Sequence, residues 1–236
     1  MKTTWVSLFI LLACVFAVSS VSADNQERKL EAFSEISLRV PGKLYLSQGE
    51  KQQVEVNAKG STLGDIITEV KDRKLVIRFP NKNYLWKDFE YGKIEIYITV
   101  PDIEVLNVSG SGDIIAEDKF DARILDMSVS GSGNVNFSEL KADRVKVSIS
   151  GSGDVKIAGN ETATDLSATI SGSGKLKAFD FPVQDVLVKV SGSGNCEVNA
   201  QSHLTVKVAG SGNVTYKGKP LIDKTVVGSG SVRNAN

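Results

Sequence analysis

The chain has 236 residues, with 28 basic and 28 acidic side chains, 41% apolar residues, 24% charged residues, one His and two Cys. That length suits one β-rich domain or at most two small ones, and the balanced charge excludes the basic excess with which nucleic-acid binders neutralise phosphates. Ordinary apolar and charged fractions exclude wholesale disorder, and a lone His203 removes most histidine general-base chemistry and most zinc sites. No metal or cofactor is expected.

Residues 1–23 read as an export signal, with Lys2 as the positive start, an apolar run from Val6 to Val18, and a small-residue cleavage site at Val21-Ser22-Ala23. A second reading takes Leu11-Leu12-Ala13-Cys14, which resembles a lipoprotein box, as an acylation site. Against it, the apolar run continues past Cys14 through Val18 where a polar tether should begin. Either way the protein is exported, to the periplasm, the outer-membrane surface or the medium. No later segment approaches the roughly 20 apolar residues of a membrane span. Cleavage at Ala23 leaves Cys196 as the only cysteine, so no internal disulfide forms and the fold needs another source of stability.

Between Asp24 and Val100 lie strand signals without a repeat. Ile36–Val40 alternates, Pro41-Gly42 turns into Leu44-Tyr45-Leu46, and Val54 with Val56, Leu75–Ile77 and Ile94–Ile98 come after. Thr62 to Val70 fits a short helix or a strand. This region, 24–100, is expected to pack on the first coil of the C-terminal half and to cover its open edge. Tyr84, Trp86, Phe89 and Tyr91 put four aromatics into eight residues of one loop. Such rings stack on sugars or fill a partner's groove, and equally pack over the end of a fold.

From 101 to 236 the chain repeats. A G-S-G unit begins at Gly110, Gly131, Gly151, Gly172, Gly192, Gly210 and Gly228, at intervals of 21, 20, 21, 20, 18 and 18 residues. Its second glycines are Gly112, Gly133, Gly153, Gly174, Gly194 and Gly212. Four residues before the first Gly stand Leu106, Met127, Val147, Ala168, Val188 and Val206, and two before stand Val108, Val129, Ile149, Ile170, Val190, Val208 and Val226. Four after it come Ile114, Val135, Val155, Leu176, Cys196, Val214 and Val232. Polar residues alternate with these, so each unit is a pair of strands with one apolar face. Too few residues separate the units for a crossover helix. The pattern predicts an all-β, right-handed parallel β-solenoid, a single-stranded β-helix of about seven coils at about 4.8 Å spacing, with Phe120, Leu140 and Phe181 plugging the third side.

The glycines read as corners. They supply positive φ and room for stacking, and the adjacent serines are expected to cap corner amides or bond to the next coil. Asp113, Asn134, Asp154 and Lys175 should lie one above the next, a column that avoids carboxylates on adjacent coils. A phosphate loop wants one Gly-rich turn feeding a helix, and a calcium β-roll wants nine-residue repeats with an Asp in each; neither matches. Cys196 stands at an inward apolar position and His203 at a solvated corner.

Glu31-Ala32-Phe33, the Ile36–Val40 strand, the Leu46–Gly49 turn, the strand ending in Pro101 and the serial S-G-S-G-[D/N] corners together resemble the head GIN domain family. The resemblance spans about Phe33 to Tyr216. It implies a β-helical exported protein of Bacteroidetes-type bacteria, in a family grouped as auto-transporter adhesins of unknown molecular function, and it supplies no binding residues to carry over. The expected function is that of an exported, non-catalytic binding or scaffold protein contacting a surface glycan or protein, with self-association as a further role for a coil end. The alternative, a polysaccharide-active enzyme on a parallel β-helix, needs clustered acids in a cleft. Here Asp118, Asp143, Asp165 and Asp185 are scattered.

Overall fold

A computed structural model describes residues 24–80 and 92–236, so the export segment and the aromatic residues 84–91 lie outside the described part. In chain order, β1 (Asp24–Glu27), β2 (Glu35–Leu38), β3 (Lys43–Gln48) and β4 (Gln53–Ala58) lead to a helix, α1 (Gly60–Asp65). After it come β5 (Ile67–Lys71), β6 (Lys74–Arg78), β7 (Ile94–Val100) and β8 (Val105–Gly110). The repeats form β9 (Asp113–Gly131), β10 (Asn134–Gly151), β11 (Asp154–Ile157), β12 (Ala163–Gly172), β13 (Lys175–Gly192) and β14 (Asn195–Gly210). The last layer holds β15 (Asn213–Lys217), β16 (Leu221–Val227) and β17 (Ser231–Asn234). The stretch 62–70, ambiguous in sequence, contains both a short helix and a strand.

These strands stack in parallel as a β-solenoid of about six turns. Seven G-S-G corners bound six full turns, which accounts for the difference from the seven coils expected. One side of the prism stacks β6, β2, β8, the second half of β9, the second half of β10, β12, and then the second halves of β13 and β14 and β16. The side beyond the corner stacks β7, β3, the first halves of β9 and β10, β11, the first halves of β13 and β14, β15 and β17. Equivalent aliphatics touch in columns: Val147, Ala168, Val188 and Val206 are register partners in succession and all fully buried. Burying each such Val or Leu contributes about 1.5–3 kcal/mol, and Cys196, the one cysteine among the described residues, is free and buried in the same core. Phe120 and Leu140 pair across the third side and are buried with Phe181, and Phe137 meets Phe120 edge-on at 5.8 Å.

The two glycine columns serve different needs. The first has positive φ, between 102° and 125° from Gly110 to Gly228, and its carbonyl accepts two amides of the next layer: Ser132 N and Gly133 N both donate to Gly110 O at 2.9 Å. The second column has no positive φ. Glycine is required there because a Cβ on Gly153 would fall on the Gly133 carbonyl and 2.6 Å from Val129 Cγ1. Most corner amides are thus satisfied by carbonyls, and among the described residues no corner serine hydroxyl caps a corner amide as expected.

The strands before Val100 join the same stack. β2 and β3 lie in register with the repeats, Ile36 against Leu106 and Leu44 against Ile114, although their corner is Arg39-Val40-Pro41-Gly42. Gly42 O accepts Asp113 N at 2.8 Å, as Gly112 O accepts Asn134 N at 3.2 Å in the next layer. Beyond this layer stand β6 and β7, so β2–β3 is inserted between two layers that are consecutive in the chain. Gln48 closes the far corner, donating to Pro101 O (3.0 Å) and Asp121 O (2.8 Å) and accepting Asp121 N (2.9 Å).

The two ends differ. At the N-terminal end the outermost parallel layer is covered by antiparallel strands, β5 on β6 and β4 on β7 with β1 beyond, and Leu63 and Ile66 pack into the core there. At the other end β16 is exposed along its whole length, with Leu221 73% and Val227 67% exposed. Two inward columns of this last layer turn polar: Lys224 succeeds Val206, and Asn234 succeeds Tyr216, while Ile222, Val226 and Val232 continue the others. An inward charge on an edge strand opposes pairing with another sheet.

The glycine contacts and the polar last layer can each be tested by substitution. Gly153→Ala should lower stability in urea unfolding by about 3 kcal/mol or more, because both colliding groups are packed backbone or core. Gly64→Ala in α1, where an added Cβ meets nothing within 4 Å, should leave stability equal or slightly higher. Lys224→Val should raise the mass of the particle in light scattering relative to the parent; an unchanged mass would show that the charge does not guard this edge.

Candidate binding surfaces

Because side chains alternate in a strand, every second residue of each layer faces solvent, and stacking turns these positions into rows about 4.8 Å apart. The row just after the corner runs Asp113, Asn134, Asp154, Lys175, Asn195, Asn213 and Ser231. Asn134 Nδ2 donates to Asp113 Oδ1 at 2.7 Å, and Asn134 Oδ1 accepts Asp154 N at 3.0 Å. The cation held by Asp154 is Lys177 at 3.2 Å rather than its column neighbour Lys175. Further along, Ser231 Oγ donates to Asn213 Oδ1 at 2.6 Å. These side chains are occupied with one another and tie layers together.

At the N-terminal end two tyrosines meet. Tyr45 on β3 and Tyr97 on β7 are register partners, with centroids 5.1 Å apart and planes 13° from parallel. Tyr97 is 40% exposed, and on its other flank Glu55 of β4 is its register partner. Gln53, Glu55, Tyr97 and Thr99 line a depression of about 230 Å³. Desolvation, and then the Glu95 carboxylate, push the Tyr97 phenol above its ordinary value, and Glu95 in turn holds Lys93 charged to higher pH through a 2.9 Å contact. A ring with a carboxylate and an amide beside it has the chemistry for stacking on a sugar and bonding its hydroxyls.

The aromatic residues singled out from sequence, Tyr84, Trp86, Phe89 and Tyr91, lie outside the described residues. Their flanks are placed: β6 ends at Arg78 on one side of the corner and β7 begins at Ile94 on the other, in the layer that carries Tyr97. Sequence reading passed over Tyr45 and Tyr97. Their alternation with buried Leu44, Leu46, Ile96 and Ile98 marks both as outward, but their meeting depends on a layer order that chain order does not reveal.

A second depression lies on the side before the corner, near the open end. Thr169, Lys189, Lys207 and Thr225 form one wall and Ser171, Ser191, Ala209 and Val227 the other, enclosing about 580 Å³ that is mostly aliphatic. Lys189 and Lys207 are direct register partners. Like charges one strand apart repel by about 1 kcal/mol in water. Elsewhere a carboxylate is at hand: Asp154 sits by Lys177 of the Lys156–Lys177 pair, and Glu161 reaches both Lys119 (3.7 Å) and Lys141 (3.4 Å) of adjacent layers. Lys189 and Lys207 have no carboxylate partner among the described residues.

The acids weighed for catalysis do not converge on a cleft. Asp165 and Asp185 stack on adjacent layers, each with its own partner: Arg144 Nε lies 3.3 Å from Asp165 and His203 Nδ1 2.7 Å from Asp185. Asp118 and Asp143 are exposed elsewhere. Cys196 is buried in its column between Leu176 and Val214, and burial pushes its thiol far above the usual range. Among the described residues no group of three or more His, Cys, Asp or Glu is arranged to hold a metal, and no helix is long and apolar enough to cross a membrane.

A family model described as "Putative auto-transporter adhesin, head GIN domain" matches residues 32–220. The chain belongs to the head GIN domain family. Its fold recurs in a crystal structure from Bacteroides fragilis described as a putative adhesin, 25% identical, with a TM-score of 0.82 over 91% of this chain and 98% of that one. A Parabacteroides distasonis structure described as a putative lipid binding protein is 24% identical, with a TM-score of 0.76 over 91% and 97% of the two chains. A Parabacteroides merdae structure described as a putative adhesin is 22% identical, with a TM-score of 0.72 and the same coverage. Among curated proteins none matches the chain.

The geometry at Tyr97 predicts an alkaline signature. Its folded-state ionisation lies above the ordinary 10.0, so the stability it contributes is complete below that pH and is lost as pH rises through the shifted value. In ultraviolet titration one tyrosine should ionise late, and Glu95→Gln should bring it earlier; equal behaviour in both proteins would refute this environment.

Proposed function

We propose that the protein is an exported, non-catalytic adhesin, at the cell surface or in the periplasm, that holds a glycan at the N-terminal end of its solenoid. The observation that carries this reading is the stacked Tyr45–Tyr97 pair beside Glu55, Gln53 and Thr99. Tyr97 offers a partly exposed ring, and the carboxylate and amide beside it suit sugar hydroxyls. Tyr84, Trp86, Phe89 and Tyr91 belong to the same reading, since the chain leaves and re-enters this layer on either side of them. Membership of a family grouped as adhesins supports it.

The test is binding of the protein to intact cells and to arrayed cell-surface glycans, with Tyr97→Ala and Trp86→Ala alongside. The parent should bind, and Tyr97→Ala should weaken binding roughly tenfold, about the contribution of one good aromatic contact. Binding to no glycan, or binding that both variants leave intact, would defeat the reading. Release of reducing or unsaturated sugar from a bound polysaccharide would make the protein an enzyme instead.

A further inference from the structure

We infer that the groove over Lys189 and Lys207 is a second binding site, for an anionic aliphatic amphiphile: an acidic head such as a phosphate or carboxylate carrying a hydrocarbon chain. It lies on another side of the prism from the tyrosine pair and toward the opposite end, and it does not depend on the glycan reading.

The charge pattern points to the head. Two ammonium groups stand on register-paired residues of β13 and β14, with Thr169 and Thr225 continuing their row on either side. The carboxylates of this side, Asp126, Asp165, Asp185 and Asp223, all belong to rows farther from the corner. Lys177 of the other register-paired lysines has Asp154 beside it, and Lys119 and Lys141 share Glu161, whereas here the fold sets two cations together without a carboxylate. One anion between them would relieve that repulsion, and hydroxyls of Thr169, Thr225 or Ser191 would complete its hydrogen bonds.

The lining points to the chain. Between the two rows the groove floor is strand backbone over the buried Ile170, Val190 and Val208, and its apolar lining is the Thr methyls, the lysine stems, Ala209 and Val227. The serine of the other corners is replaced by alanine and then valine as the row nears the open end: Ser171, Ser191, Ala209, Val227. Val227 is 67% exposed at the end of that row. No aromatic ring lines the groove, so it lacks the stacking surface a neutral sugar uses, and aliphatic walls with a cationic pair fit a hydrocarbon chain with an acidic head.

Titration calorimetry of the parent with dodecyl phosphate, dodecyl maltoside and inorganic phosphate, all below micellar concentration, tests the proposal, with polygalacturonate as the glycan arm. Dodecyl phosphate should bind, and Lys189→Gln with Lys207→Gln should weaken it roughly tenfold or more, as should Val227→Asp, while Lys175→Gln leaves it unchanged. These side chains are exposed, and equal thermal melts would confirm that the variants fold. Equal affinity in the double variant, equal binding of dodecyl maltoside, or equal binding of inorganic phosphate would each overturn the proposal. So would lysine-dependent binding of polygalacturonate without dodecyl phosphate, which would make the groove an acidic-glycan site. Glycan binding through Tyr97 should survive the lysine changes, so the two sites fail separately.

Discussion

The contact on which this molecule depends is a carbonyl that serves two amides. At Gly110, Gly131, Gly151 and Gly192 the first glycine's oxygen accepts the N–H of the next layer's serine and second glycine, as Gly131 O does from Ser152 and Gly153 at 2.9 and 3.0 Å, and at Gly172 and Gly210 it accepts one of the two. From Gly131 in the first column and Gly112 in the second, that geometry brings the layers so close that no Cβ fits. Once the corners are held, the flanking strands have no freedom of register, and the apolar columns close behind them. A one-residue slip would turn every valine outward.

Stacking also explains why function would sit on rows and ends. Identical spacing converts each outward position into a line of side chains, so chemistry on a solenoid changes gradually from layer to layer. Most rows neutralise themselves through amide ladders or alternating charge. The exceptions are informative: an aromatic pair at the covered end, and a lysine pair with aliphatic neighbours near the open one. The last layer departs from the pattern in another way, placing Lys224 and Asn234 where the other layers bury mostly apolar residues. The open end thus carries its own obstacle to further stacking.

Much of this was legible in the residues. The seven corners, the inward columns and the plugging role of Phe120 and Leu140 came from spacing, since a period-two pattern repeated every 18–21 residues leaves little else to build. Less legible was the region before Val100. Its corner lacks the motif, because Val40-Pro41-Gly42 achieves the same approach through Gly42, and its layer is inserted out of chain order. The tyrosine pair was hidden for the same reason: Tyr45 and Tyr97 are 52 residues apart and meet through a parallel pairing that no local pattern announces.

By itself the sequence determined the repeating unit and the direction each side chain faces, because these are set by alternation and spacing within one layer. The tertiary structure alone decided that β2–β3 lies between β6–β7 and β8–β9, and with it that Tyr45 meets Tyr97. The physical reason is that hydrogen bonds between parallel strands are satisfied equally well by any layer of matching shape. Order in space is therefore chosen by packing and end-capping over the whole stack.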